Sequence, residues 1–211
     1  MRYLCGMELK AYIDSQILPR YLNFDKAHGP DHVRAVIERS LALAEKYGLD
    51  MQMVYTAAAY HDTGLVEGRQ FHHLASGAII RQDMNLRNWF TEEQIETIAQ
   101  AAEDHRASAK QEPRSIYGRI IAEADRMIDP ELTIRRTVQY GLKHYPEMDK
   151  EGHWRRMVEH LNEKYSEGGY LKLLIPESDN AERLQELREI IKDTARLRCI
   201  FEKEYLSGIS E

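Results

Sequence analysis

The residues best suited to chemistry are His61 and Asp62, adjacent metal-competent side chains that end the small apolar run AAAYHDTGL. Neighbouring helical residues point about 100° apart, so they cannot share a face in the usual i, i+4 manner. Around them stand His32 in HGPDHVRAV, His73 in HHLASGA, His105 in AEDHR and Asp125 in AEADRMID. Four imidazoles and two carboxylates suffice for two divalent ions, and such a mixture suits Fe, Mn, Co, Ni or Zn better than Ca or Mg. Asp125 follows the largely apolar IIAEA, where an unpaired carboxylate is costly to bury and a metal would remove the cost. The plain alternative is a surface carboxylate paired with Arg126 or Arg119. His144, His153 and His160 sit among Lys, Arg and Glu on helices that read as solvated.

The elements that position these residues are helical. MELKAYIDSQILPRYL, 7–22, has apolar residues three and four apart, with a break at Pro19. Pro30-Asp31 opens a helix that stops at Gly48, and Asp50 is placed to cap MQMVYTAAAYHD. A helix over FHHLASGAIIRQDM follows, then Thr91 caps TEEQIETIAQAAEDHR. The pattern from Ser115 to Asp129 is stopped by Pro130, and further helices cover roughly 131–145, 151–167 and 180–206. The longest irregular stretch is SEGGYLKLLIPESDN, 166–180. No segment alternates apolar and polar over enough residues to demand a strand. The fold class is all-α.

Composition narrows the function. A chain of 211 residues is long enough for one generous core, and one domain fits it better than two. A net charge of −6 and a pI of 5.9 argue against a nucleic-acid platform. No apolar run approaches the roughly 20 residues of a membrane span. The opening MRYLCGMELKAY lacks the pattern of a signal peptide, and Cys5 and Cys199 form no motif. The expectation is a cytoplasmic chain with reduced thiols.

In order and local context, DHVRAV, YHDTG and EADRMID resemble the three signature segments of the HD superfamily of metal-dependent phosphohydrolases, whose pattern is H…HD…D. With the two extra histidines the chain is similar to the H…HD…H…H…D variant of small stand-alone bacterial proteins. The likeness runs from about Asp25 to Asp129, and more loosely through 155–206. It implies a single helical HD domain over 1–211, with a core of about 25–129, closing helices of about 131–206 and the metal site between helices. It implies that His32, His61, Asp62 and Asp125 hold a first metal. His73 and His105 then hold a second, with Asp62 shared; His73 is preferred to His72 because HLASGA resembles the helix start after that ligand. His61 and Asp62 are the catalytic pair, converging on the metals from one turn.

Many relatives read HDxGK, whereas this chain has Leu65 after Gly64. Either a phosphate contact is missing here, or Arg69, Arg81 or Arg106 supplies it. Arg106, Arg126 and Arg34 are candidate substrate-binding residues, with His28 a further substrate contact or a partner behind the ligands. Asp104 and Glu103 are candidate partners for imidazole N–H groups. The implied reaction is hydrolysis of a small phosphate ester or anhydride, a nucleotide for preference, by a metal-activated hydroxide. The competing readings are a diiron oxygenase of HD type and a non-catalytic nucleotide-binding module. One or two divalent transition metals are expected as cofactors and a small phosphorylated molecule as partner. No nucleic acid or membrane is expected, and a homodimer is allowed.

Overall fold

A computed structural model of the protein describes residues 2–25, 27–106 and 111–209; the side chains of residues 2–5, Cys5 among them, lie outside that description. The described residues form ten α-helices and no strand, as the periodicity requires. By its internal contacts the chain divides into two compact units, Met1–Met127 and Ile128–Glu211.

The first unit carries six helices: α1 (Arg2–Tyr12), α2 (Pro30–Lys46), α3 (Met51–Tyr60), α4 (His72–Gln82), α5 (Glu92–Glu103) and α6 (Ile116–Asp125). Its centre is α3, which packs on α2, α5 and α6. Every residue from Thr56 to Tyr60 is buried, and the alanines among them let the neighbouring helices approach closely. Asp50 starts α3 by accepting hydrogen bonds from the Gln52 and Met53 amides. Thr91 starts α5 through a capping box with Gln94.

Two expectations needed revision here. The helix read over 7–22 changes character at Ile13: a π-helical turn, Ile13–Ile17, leads into a 3-10 turn, Leu18–Asn23, with Pro19 in its first turn. The helix expected to run to Pro130 ends at Asp125 instead. Met127 has φ 22°, a left-handed conformation that an α-helix cannot contain.

The second unit holds α7 (Pro130–His144), α8 (Lys150–Tyr165), α9 (Asn180–Lys192) and α10 (Thr194–Gly208). Here α7 packs on α8, α9 and α10 around Ile134, Val138, Met157, Leu187 and Phe201. The single helix read over 180–206 is two. Asp193 leaves the helical region at ψ 87° and accepts a hydrogen bond from the Arg196 amide, so a new N-cap interrupts the run. His153, read as solvated, is buried, because the face of α8 that bears it packs against Gly141 and the Tyr205 ring. No helix among the described residues is long and apolar enough to cross a membrane.

Candidate metal centre

At the end of α3 the last carbonyl groups have no helical partners. Here side chains take them: His61 Nδ1 lies 2.7 Å from the Ala58 oxygen, the Tyr21 hydroxyl donates to Ala59, and the Thr63 hydroxyl donates to Tyr60. The chain turns at once, with Asp62 at φ −108° and ψ 3°, and the next residues form a 3-10 turn, Thr63–Glu67. This answers how adjacent residues converge: the helix stops between them.

The two Asp62 oxygens face different histidine pairs. Oδ2 lies 3.3 Å from His61 Nε2 and 3.5 Å from His32 Nε2. Oδ1 lies 3.4 Å from His72 Nε2 and 3.5 Å from His105 Nε2. Asp125 Oδ1 joins the first group, 3.2 Å from His32 and 3.8 Å from His61. Its partners are thus imidazoles rather than Arg126 or Arg119, which pair with Glu123 and Glu112. In each of the sets His32, His61, Asp62 and Asp62, His72, His105 the candidate ligand atoms lie within 4.8 Å of one another.

Three of the imidazoles are aimed by the same device. Each Nδ1 sits against the backbone carbonyl three residues earlier: His61 on Ala58, His105 on Ala102 and His72 on Arg69. A carbonyl only accepts, so Nδ1 carries the proton and Nε2 presents a lone pair to the cluster. Asp104 and Glu103, expected to orient these rings, do not. Asp104 is held by Arg114, and Glu103 by Arg81 and Arg114.

These lone pairs supply a test of whether a cation fits. His72 Nε2 and His105 Nε2 stand 3.0 Å apart, and His61 Nε2 and His32 Nε2 stand 3.3 Å apart. The first pair, both anchored at Nδ1, would set two lone pairs against each other, which repel at this distance unless positive charge accompanies them. Burial presses the His32 imidazole toward its neutral form, but hydrogen bonds to Asp125 and Asp62 lift it to about 9. His105 is likewise lifted against burial by Asp62, whereas burial and the His105 charge push His72 down. Burial works to raise both carboxyls, yet the surrounding imidazoles hold Asp62 and Asp125 below the usual range. A buried, ionised carboxylate between two pairs of inward-facing imidazoles fits divalent cations on both sides of Asp62.

The structure corrects the choice between neighbouring histidines. His72 reaches Asp62; among the described residues His73 belongs to neither set, and its Nδ1 is buried without a hydrogen-bond partner. The small residues of HLASGA serve packing. Ser76 Oγ accepts from the Gly64 amide, and a Cβ on Gly64 would fall 2.1 Å from the His72 carbonyl oxygen. His72 and Ser76, four apart, share the α4 face that meets the turn after Asp62.

The substrate candidates separate. Arg126 is a buried partner of Glu123, its side chain only 7% exposed, and does not face solvent. Arg34, two residues beyond His32, points about 200° around α2. It lines a separate groove of about 650 Å³ with Leu18, Val33 and Ile37. Arg81 is committed to Glu96 and Glu103. Arg106, next to His105, donates to the Gln70 carbonyl oxygen. His28 lies beside the cluster, its ring 5.8 Å from that of His32, with Nδ1 2.8 Å from Asp25. Exposed Arg69, one of the three arginines considered for the phosphate contact, approaches the His28 ring at 3.1 Å and Asp25 at 3.5 Å.

The family model for the HD domain matches residues 31–128, the segment that spans all the clustered residues. No curated protein sequence matches this chain significantly. Among solved structures, Bacillus subtilis YpgQ in complex with ADP is 18% identical with a TM-score of 0.59, over 91% of this chain and 94% of that one. A predicted HD superfamily hydrolase from an uncultured Thermotogales bacterium is 19% identical with a TM-score of 0.49, over 74% of this chain and 87% of that one. Over residues 31–128, this chain carries an HD domain.

Proposed function

We propose that the protein hydrolyses a phosphoester or phosphoanhydride bond of a small nucleotide, using two divalent transition metals held on either side of Asp62. The observation that carries this reading is the division of the Asp62 oxygens, Oδ2 toward His32 and His61 and Oδ1 toward His72 and His105. Two cations so held would acidify a water for attack on phosphorus and neutralise the phosphoryl oxygens.

The chain's own residues do the rest. Asp62 and Asp125 remain ionised because the imidazoles around them favour the charged form, so neither needs deprotonation before cations enter. His61, His72 and His105 are held with Nε2 free by their backbone carbonyl bonds. Arg69 is 64% exposed, and its acidic partner Asp25 is 59% exposed, so a phosphate can replace that contact at little cost. A guanidinium grips phosphate through paired donors, a role that Leu65 cannot serve. The ADP in YpgQ, whose fold this chain shares, supports a nucleotide over other phosphorylated molecules.

The test is a panel of mononucleotides, cyclic nucleotides, nucleoside polyphosphates and dinucleoside polyphosphates with Mn²⁺, Co²⁺ or Fe²⁺, read as phosphate or pyrophosphate release. Release that vanishes in Asp62→Ala and Asp125→Ala supports the proposal. Oxygen consumption with an organic substrate, and no release from any ester, would assign the centre to oxidation instead.

A further inference from the structure

We infer that Tyr21 is a positioning residue for the metal centre, its buried hydroxyl setting the turn that lets one carboxylate serve both histidine pairs. This inference rests on the reading of the His and Asp cluster as a metal site.

Three side chains cap the end of α3, and Tyr21 differs from the other two. His61 and Thr63 are local, each taking a carbonyl three residues away. Tyr21 comes from 38 residues upstream, donating to the Ala59 carbonyl oxygen at 2.9 Å. Its oxygen also accepts from the Asp62 amide at 3.3 Å. One hydroxyl therefore ties together two backbone groups on either side of His61. A phenol offers one donor hydrogen and acceptor lone pairs, so both of its capacities are used.

The ring that carries this hydroxyl is firmly held. Ile13, Ile17 and Tyr21 are each 0% exposed and follow at four-residue steps through the π-helical and 3-10 turns. π-Helical turns are rare and gather at functional sites. Phe24 meets the Tyr21 ring edge-on at 5.4 Å, and the His61 ring lies 6.4 Å away. Without the hydroxyl the Asp62 amide and the Ala59 carbonyl, both buried, lose their partner, and the turn relaxes to find others. Because Oδ1 and Oδ2 belong to one carboxylate, such a relaxation moves the ligand of both metals at once.

The experiment compares Tyr21→Phe with Tyr60→Phe. Tyr60 is a neighbouring buried tyrosine whose hydroxyl bonds to Asp83 at 2.6 Å, away from Asp62. Co²⁺ and Mn²⁺ affinities, the visible spectrum of the Co²⁺ form, and the rise in unfolding temperature on adding Co²⁺ are measured for the wild type and both variants. The expected result is a loss of about tenfold in affinity for both metals in Tyr21→Phe, with an altered Co²⁺ spectrum and a smaller Co²⁺-induced rise. Tyr60→Phe should stay within about twofold of the wild type by the same measures. A merely structural hydroxyl would lower the metal-free unfolding temperature and leave affinity and spectrum alone. Tyr21→Phe with wild-type affinity and spectrum, or Tyr60→Phe with an equal loss, overturns the role of Tyr21 while the metal reading stands. A wild type that binds neither metal overturns both.

Discussion

His72 and His105 face each other through Nε2 atoms 3.0 Å apart, each ring anchored at Nδ1 to a backbone carbonyl. The arrangement is unfavourable for two neutral rings and suited to a cation lying between them and Asp62 Oδ1. Replacing His72 by Ala should therefore weaken one of two bound metals by about 10- to 100-fold and leave the other in place. His73→Ala should leave the metal content of the purified protein unchanged, since its ring belongs to neither set. Elemental analysis of both variants, with calorimetric titration of Mn²⁺, decides between the neighbours. A loss confined to His73→Ala would restore the assignment expected from the sequence.

The metal-free protein should lose stability as pH rises. His32 has a folded pKa of about 9 against an ordinary value of 6.5, because Asp125 and Asp62 outweigh burial. A raised folded pKa means that the protonated ring stabilises the fold. Its contribution is complete below about pH 6.5 and disappears as pH climbs through about 9. The full shift corresponds to at most about 3 kcal/mol. The two carboxylates act in the opposite window: their folded pKa values are lowered, so their contribution is present at neutral pH and lost in acid, below about 3.8. Thermal melts in chelator between pH 6 and 10 should show the decline. His32→Ala should flatten the curve, and saturation with Mn²⁺ should do the same, because a ligated ring has no proton to lose.

Much of this was legible in the chain itself. Local rules sufficed for the starts of α2 and α5, since Pro30-Asp31 and the Thr91 cap act within one helical turn. His32, His61, Asp62, His105 and Asp125, which the structure brings together, stand out in the sequence by their order. What escaped depends on contacts far apart in sequence or on local dihedral choices. Choosing between His72 and His73 required knowing that Gly64 packs on the face of Ser76. The break at Asp193 is a side-chain cap competing with a helical run that has no proline or glycine to mark it. Tyr21 gave no sign, because its partners lie about 40 residues away and a tyrosine in an apolar helix reads as core.

Arg69 tests the substrate side of the proposal independently of the metals. Its guanidinium touches Asp25 and His28, neither of which is in the ligand sets. Arg69→Ala should leave metal content and unfolding temperature near wild type while raising KM for a nucleotide by about tenfold, a loss of about 1.4 kcal/mol of binding. Arg69→Lys should recover only part, since an ammonium cannot form the paired contacts of a guanidinium. Steady-state kinetics of the three proteins on one substrate make the comparison. An unchanged KM would confine Arg69 to bracing Asp25 and His28.

Gly64 should prove as sensitive as any ligand, although it has no side chain to offer. It is buried in the 3-10 turn that follows Asp62, pressed against the first turn of α4. A Cβ placed there would lie 2.1 Å from the His72 carbonyl oxygen, 2.5 Å from the Ser76 amide nitrogen and 2.8 Å from the Ala75 Cβ. Two of these neighbours are backbone atoms of a helix, which cannot move aside as a flexible side chain would. Gly64→Ala must therefore push α4 away from the turn, and α4 carries His72. Overpacking of this kind costs about 1–3 kcal/mol. Its consequence for function is directional: the Oδ1 side of Asp62 loses its His72 geometry while the His32, His61 and Asp125 side keeps its own. The variant should fold with a lowered unfolding temperature, bind one metal near wild-type affinity and bind the second weakly. Gly68→Ala is a useful contrast, because among the described residues no neighbour lies within 4 Å of its Cβ position and the strain there comes from φ of 92°. It should lower stability without changing the number of metals bound. Two metals retained at full affinity in Gly64→Ala would show that α4 can shift without carrying His72 out of reach of Asp62.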